Sequence, residues 1–122
     1  MMMRRIFHPL KKCSNLRALS SIITEIHPEN DEIAVLKMNA PPINALSSNL
    51  LKELEESIQT LEQNEDIRGM ILTSAKPGIF SAGLNLFELY NNDEESLVKF
   101  WTQVQDTWFT LYKSPLATVA AI

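Results

Sequence analysis

The sequence has one cysteine and two histidines among 122 residues. A single thiol, Cys13, cannot close an internal disulfide, so no disulfide framework is available and a reducing compartment suits the chain. His8 and His27 stand far apart with no Cys/His cluster around them, and no metal centre is expected. Apolar runs fall far short of the roughly 20 residues needed to cross a bilayer, so no membrane span is expected. Glycine is scarce, and two of the three, Gly78 and Gly83, fall in one short stretch.

Acid is missing from the front of the chain. Residues 1–24 hold Arg4, Arg5, Lys11, Lys12 and Arg17 and no Asp or Glu, a net of +5. Residues 25–122 hold six Lys/Arg against all fifteen Asp/Glu, a net of −9. An acidic body lacks the clustered Lys and Arg that a phosphate backbone requires, so no nucleic-acid partner is expected. The basic front mixes Arg, Lys and Ser with Ile6, Phe7, Leu10, Leu16 and Leu19, the composition of a mitochondrial transit peptide. Lys11, Lys12 and Arg17 interrupt any secretory h-region; the plain alternative is a basic tail with no address. The expected organisation is a leader over 1–20 and one domain over 21–122, in the mitochondrial matrix.

What is present is a core and an α/β pattern. Hydrophobic residues make up 45% of the chain, enough for one small domain and too many for a disordered one. Residues 21–26 and 33–38 read as strands that can form a hairpin around His27-Pro28-Glu29-Asn30-Asp31. Asn39-Ala40-Pro41-Pro42 ends the second strand, because proline cannot donate to a ladder. Ser47 or Ser48 can cap a helix whose apolar stripe is Leu46, Leu50, Leu51, Leu54, Ile58 and Leu61. Residues 69–74 read as another strand. A short helix is predicted over 84–90, then an amphipathic one carrying Leu97, Phe100, Trp101, Val104, Trp108, Leu111 and Tyr112, opened by an Asn92/Glu95 capping pair. Trp101, Trp108 and Tyr112 read as core. Residues 116–122 form an apolar strand at which the sequence stops, which reads as a domain cut within its sheet.

The stretch with chemical potential is Gly78-Ile79-Phe80-Ser81-Ala82-Gly83-Leu84-Asn85-Leu86. Small residues at Ser81, Ala82 and Gly83 let a ligand approach the backbone. The amides that open a helix lack internal partners and attract negative charge. One such N–H aimed at a developing enolate oxygen is half of an oxyanion hole. A glycine-containing loop before a helix is also common with no such role.

Together, and in this order and spacing, Pro42-Ile43-Asn44-Ala45-Leu46, Gly69-Met70-Ile71-Leu72-Thr73-Ser74 and Phe80-Ser81-Ala82-Gly83-Leu84-Asn85-Leu86 resemble the front half of the crotonase (enoyl-CoA hydratase/isomerase) superfamily. The likeness covers 21–122. Within the superfamily it points to the mitochondrial Δ3,Δ2-enoyl-CoA isomerases, through residues 71–74, Pro77-Gly78, 80–84, the aromatic helix and 116–122. The resemblance implies the N-terminal part of a ββα spiral fold and an acyl-CoA substrate, with coenzyme A part of that substrate and no separate cofactor. It implies that the backbone N–H of Leu84 is the first oxyanion donor. Ala82 matches a contact to the adenine end of coenzyme A, and Gly83 lets the chain turn. Asn44, Ala45 and Leu46 match a segment that lines the coenzyme A site and holds the loop, and Asn85 and Leu86 complete the substrate-binding stretch. Asn85 departs from the aspartate usual in the family.

The resemblance also implies a second donor from a glycine-rich turn, a glutamate base and a homotrimer. The donor and base would lie past Ile122, so the 122-residue chain alone is expected to be inactive. Glu88, Glu94 and Glu95 match no family base and read as solvated. A hydratase of the same superfamily and a non-catalytic acyl-CoA-binding product are the rival expectations.

Overall fold

The structure, a computed structural model, describes residues 20–90 and 92–122. The expected leader, with His8 and Cys13, lies outside the described residues except for Ser20.

Strand β1 (Ile22–His27) pairs antiparallel with β2 (Asn30–Met38), the hairpin predicted from sequence. Its turn is tighter than predicted, with Asn30 already in the second strand. Helix α1 (Ser48–Glu62) then carries the chain over to β3 (Gly69–Ser74), which runs parallel to β2. After α2 (Leu86–Leu89) and α3 (Glu94–Lys113), β4 (Ala117–Ala120) joins parallel to β3, giving the sheet order β1-β2-β3-β4.

Side chains alternate across a strand, so Ala34, Leu36 and Met38 share one face of β2. All three are buried, and α1 covers them with Leu50, Leu54, Ile58 and Leu61. Ser47 caps that helix, its Oγ accepting from the Leu50 N–H at 3.2 Å. Leu51 is turned toward α3, where the buried Thr107 donates its hydroxyl to the Leu51 carbonyl at 3.3 Å. Gln103 of α3 also donates to Glu55 of α1 at 2.7 Å. At its start, α1 ties down the chain entering β1: Glu53 accepts from the Ser21 N–H at 2.6 Å and from the Ser20 hydroxyl at 3.0 Å.

Four expectations are corrected. The first residue of the predicted stripe, Leu46, lies before α1 and not in it. The α3 cap is Asp93, not Asn92: its carboxylate accepts from the Ser96 N–H at 2.8 Å, which holds the carboxyl below its ordinary pKa. The last strand is four residues long, all exposed, and not the seven of 116–122. Trp101, Trp108 and Tyr112 are not core, at 48%, 69% and 79% exposed. Helix α3 carries two apolar stripes, and the one that meets α1 contains Phe100 and Thr107. Period alone cannot say which of two stripes finds a partner.

Ile58 sits at the centre of the α1–sheet contact and is fully buried. Ile58→Ala is expected to destabilise the chain by about 2–5 kcal/mol through lost transfer energy and the residual cavity. Urea unfolding at unchanged m-value measures it. A cost below about 1 kcal/mol would mean that α1 does not hold the sheet as described.

Candidate functional site

The site is built around a buried amide side chain. Asn44 is 0% exposed and adopts φ 51°, a left-handed conformation that asparagine tolerates better than most residues. A carboxamide out of water must be hydrogen-bonded or it is costly. This one uses both ends. Its Oδ1 accepts from the Ala40 N–H at 2.8 Å, and its Nδ2 donates to Ser74 Oγ at 2.7 Å and to the Phe80 carbonyl at 2.9 Å. Three segments are thereby fixed to one another: the exit of β2, the end of β3 and the loop beyond it.

The loop is then clamped along its length. Ser81 donates its hydroxyl to the Asn44 carbonyl at 2.7 Å and accepts from the Gly83 N–H at 3.1 Å. The Ala82 N–H bonds the Ile43 carbonyl at 3.0 Å. Leu46 and Leu84 form an isolated parallel bridge, with the Leu46 N–H on the Gly83 carbonyl at 2.8 Å and the Asn85 N–H on the Leu46 carbonyl at 3.1 Å. In a parallel bridge of this kind the bonds flank the central residue, so the N–H of Leu84 points to the opposite side. Among the described residues that N–H has no hydrogen-bond partner.

The geometry changes the reason for expecting a donor here. The helix does not begin at Leu84. It runs only over Leu86–Leu89, with Asn85 as its cap and the Asn85 Oδ1 accepting from the Phe87 N–H at 3.0 Å. The Leu84 amide is free because it is the outward member of a strand bridge, not because a helix opens there. Gly83 has φ 86°, a backbone few side chains adopt, yet a Cβ would meet nothing within 4 Å. Glycine serves the turn at that position, and close approach of neighbouring atoms does not explain it.

The other expected site residues are distributed around this clamp. Ala45, Leu46, Gly83, Leu84 and Asn85 are half-buried, Ala82 is exposed, and Leu86 is 72% exposed at the start of α2. Asn44 is turned inward, so its side chain holds the loop and presents no polar group outward. Glu88 is not simply solvated: one carboxylate oxygen accepts from the Ser48 N–H at 2.9 Å, at the positive end of α1. Glu94 and Glu95 are exposed, and Glu95 pairs with Lys99 at 2.7 Å. Ser74, Ser81 and Glu88 are the residues whose positions sequence reading missed. Ser81 was visible only as a small residue; its hydroxyl bonds depend on where Asn44 sits.

Among the described residues, no three His, Cys, Asp or Glu side chains come together as metal ligands, and no helix is long and apolar enough to cross a membrane. Grooves between α1 and α3 and between β1 and α1 contain no residue of the 81–86 stretch. What the clamp can do chemically is present the unpartnered Leu84 N–H on a fixed support.

The family model for enoyl-CoA hydratase/isomerase matches residues 28–122. Mitochondrial enoyl-CoA delta isomerase 1 of Rattus norvegicus is 47% identical over 90 residues, which cover 74% of this chain and 31% of that protein. Mitochondrial methylglutaconyl-CoA hydratase of Mus musculus is 34% identical over 101 residues, 82% of this chain and 32% of its own. The crystal structure of human mitochondrial Δ3-Δ2-enoyl-CoA isomerase superposes with a TM-score of 0.79 at 39% identity, covering 83% of this chain and 39% of the other. The chain thus spans about a third of the length of the curated relatives it matches. The α/β class and the crotonase-type fold agree with the sequence reading.

Asn44→Ala removes three hydrogen bonds and leaves the Phe80 carbonyl and the Ala40 N–H without that partner, at a position where alanine is also strained. A loss of roughly 3 kcal/mol of stability is expected, at about 1–3 kcal/mol for each buried group left unpaired. Thermal unfolding of the two chains checks it. An unchanged midpoint would show that the carboxamide does not hold the loop.

Proposed function

Since the chain belongs to the enoyl-CoA hydratase/isomerase family, we propose that it carries the acyl-CoA-binding loop and the first oxyanion donor of a mitochondrial Δ3,Δ2-enoyl-CoA isomerase. The observation that carries this reading is the free, outward N–H of Leu84 on a loop clamped at Ala82, Gly83 and Asn85. The substrate is an unsaturated fatty acyl thioester of coenzyme A. The reaction class is a 1,3 proton shift. A base removes the proton at the carbon α to the thioester, and the electron pair delocalises onto the thioester oxygen. The Leu84 N–H stabilises that oxygen as negative charge develops, and the proton is returned at Cγ, leaving the double bond conjugated with the carbonyl. Such a donor is worth on the order of 10²–10³ in rate.

Isomerase is preferred over hydratase because the isomerase relative is 47% identical where the hydratase relative is 34% identical. Neither Glu88 nor Glu95 is assigned as the base. Glu88 is committed to the Ser48 N–H and Glu95 to Lys99. On this proposal the 122-residue chain binds the thioester without turning it over.

Location follows from two supports, the acid-free basic front and the mitochondrial relatives. We place the protein in the mitochondrial matrix with residues 1–20 as its leader. A reporter fused to residues 1–20 should enter isolated mitochondria in a potential-dependent way and be clipped. A reporter left outside would remove the leader.

The functional test uses a medium-chain Δ3-enoyl-CoA and the purified 122-residue chain. Saturable binding is expected, with a downshift of the thioester carbonyl stretch and no isomerisation. Leu84→Ala should keep the downshift, because the donor is main-chain. Robust turnover by the chain alone, or loss of the downshift in Leu84→Ala, would overturn these assignments.

A further inference from the structure

Residues 82–85 supply four consecutive backbone amides around the candidate donor Leu84. Ala82 and Asn85 are removed from contention by backbone carbonyls, those of Ile43 at 3.0 Å and Leu46 at 3.1 Å. Gly83 is different. Its N–H is taken by a side chain, the hydroxyl of Ser81 at 3.1 Å. Without that oxygen, Gly83 would offer a second free N–H directly beside Leu84, on a backbone at φ 86°. Two adjacent free amides make an anion-binding concavity with a choice of donors, and not one fixed direction.

The Ser81 hydroxyl is itself aimed. A hydroxyl has one hydrogen and two lone pairs. Its hydrogen goes to the Asn44 carbonyl at 2.7 Å, which leaves a lone pair for Gly83. The Asn44 backbone is in turn held by a carboxamide with no exposed surface and partners on three segments. The chain of control runs from the buried Asn44, through the Ser81 hydroxyl, to the Gly83 amide.

We propose that Ser81 is a positioning residue that engages the Gly83 amide and so leaves Leu84, and not Gly83, as this loop's donor to the thioester oxygen. The proposal rests on the acyl-CoA reading of this site. Ser81 touches no reacting atom; it acts by engaging the competing amide.

The test uses the 122-residue chain and an acyl-CoA isotope-labelled at the thioester carbonyl. Wild type should bind it with one narrow, downshifted carbonyl band. Ser81→Ala and Ser81→Cys, which lose the strong hydroxyl acceptor, should bind within about threefold of wild type, since one hydrogen bond to a neutral oxygen contributes little net affinity. Their carbonyl band should broaden or split between two donors. Ser81→Thr, which keeps the hydroxyl, should restore the single band. In the unliganded chains, amide exchange at Gly83 should rise to that of Leu84 in the Ala and Cys variants and stay protected in the Thr variant. Gly83 protection unchanged in Ser81→Ala, or an unchanged narrow band in the bound Ala and Cys variants, overturns the selector role while leaving the acyl-CoA reading intact. Failure of wild type to bind, or binding with no downshift, overturns the acyl-CoA reading and the proposal with it, whatever the exchange data show.

Discussion

The buried carboxamide of Asn44 is the interaction on which the arrangement depends. Two strand ends and an irregular loop converge where no ladder can satisfy their polar groups. Asn44 supplies an acceptor to one and donors to the others, within 2.9 Å in every case. Its left-handed backbone lets its own carbonyl face Ser81 at the same time. Remove it and the loop loses its link to the end of β3, while the strands themselves keep their pairing.

The division of labour follows from magnitudes. Burial of Leu50, Leu54 and Ile58 against the sheet, at about 1.5–3 kcal/mol for each side chain, holds the fold. The polar clamp contributes less to stability and more to direction. A displacement of about 1 Å at a reacting group costs on the order of 10²-fold in rate, so the proposed donor role would need more than hydrophobic contact to fix the loop. Hydrogen bonds along residues 81–85 provide that directional constraint, and the same bonds leave Leu84 with its N–H turned outward.

Much of this was legible in the sequence where a pattern has one physical reading. The α1 stripe, the Ser47 cap and the proline break after β2 each follow from local rules. So does the β2–α1–β3 order. The likeness of residues 80–86 and 42–46 to crotonases singled out two segments that the fold brings together, through the Leu46–Leu84 bridge. Elsewhere the pattern was degenerate. Helix α3 offers two apolar stripes, and only packing against α1 decides that Phe100 is buried while Trp108 is exposed. The cap of that helix moved by one residue because Asp93 competes with Asn92 for the same role. Most instructive is Leu84. A helix start suggested a donor in this stretch and the resemblance put it at Leu84, whereas the free amide comes from a bridge to Leu46, thirty-eight positions earlier in the chain, which no local pattern reveals.

The central claim is that the clamp engages the amides of Ala82, Gly83 and Asn85 and leaves that of Leu84 free. Scalar couplings transmitted through hydrogen bonds, measured by NMR on the isotope-labelled chain, test it most directly. The expected result is coupling from the Ala82 nitrogen to the Ile43 carbonyl carbon, from Asn85 to Leu46 and from Leu46 to Gly83, with none from the Leu84 nitrogen to any carbonyl. A coupling from Leu84 to a backbone carbonyl, or the absence of the three others, would contradict it.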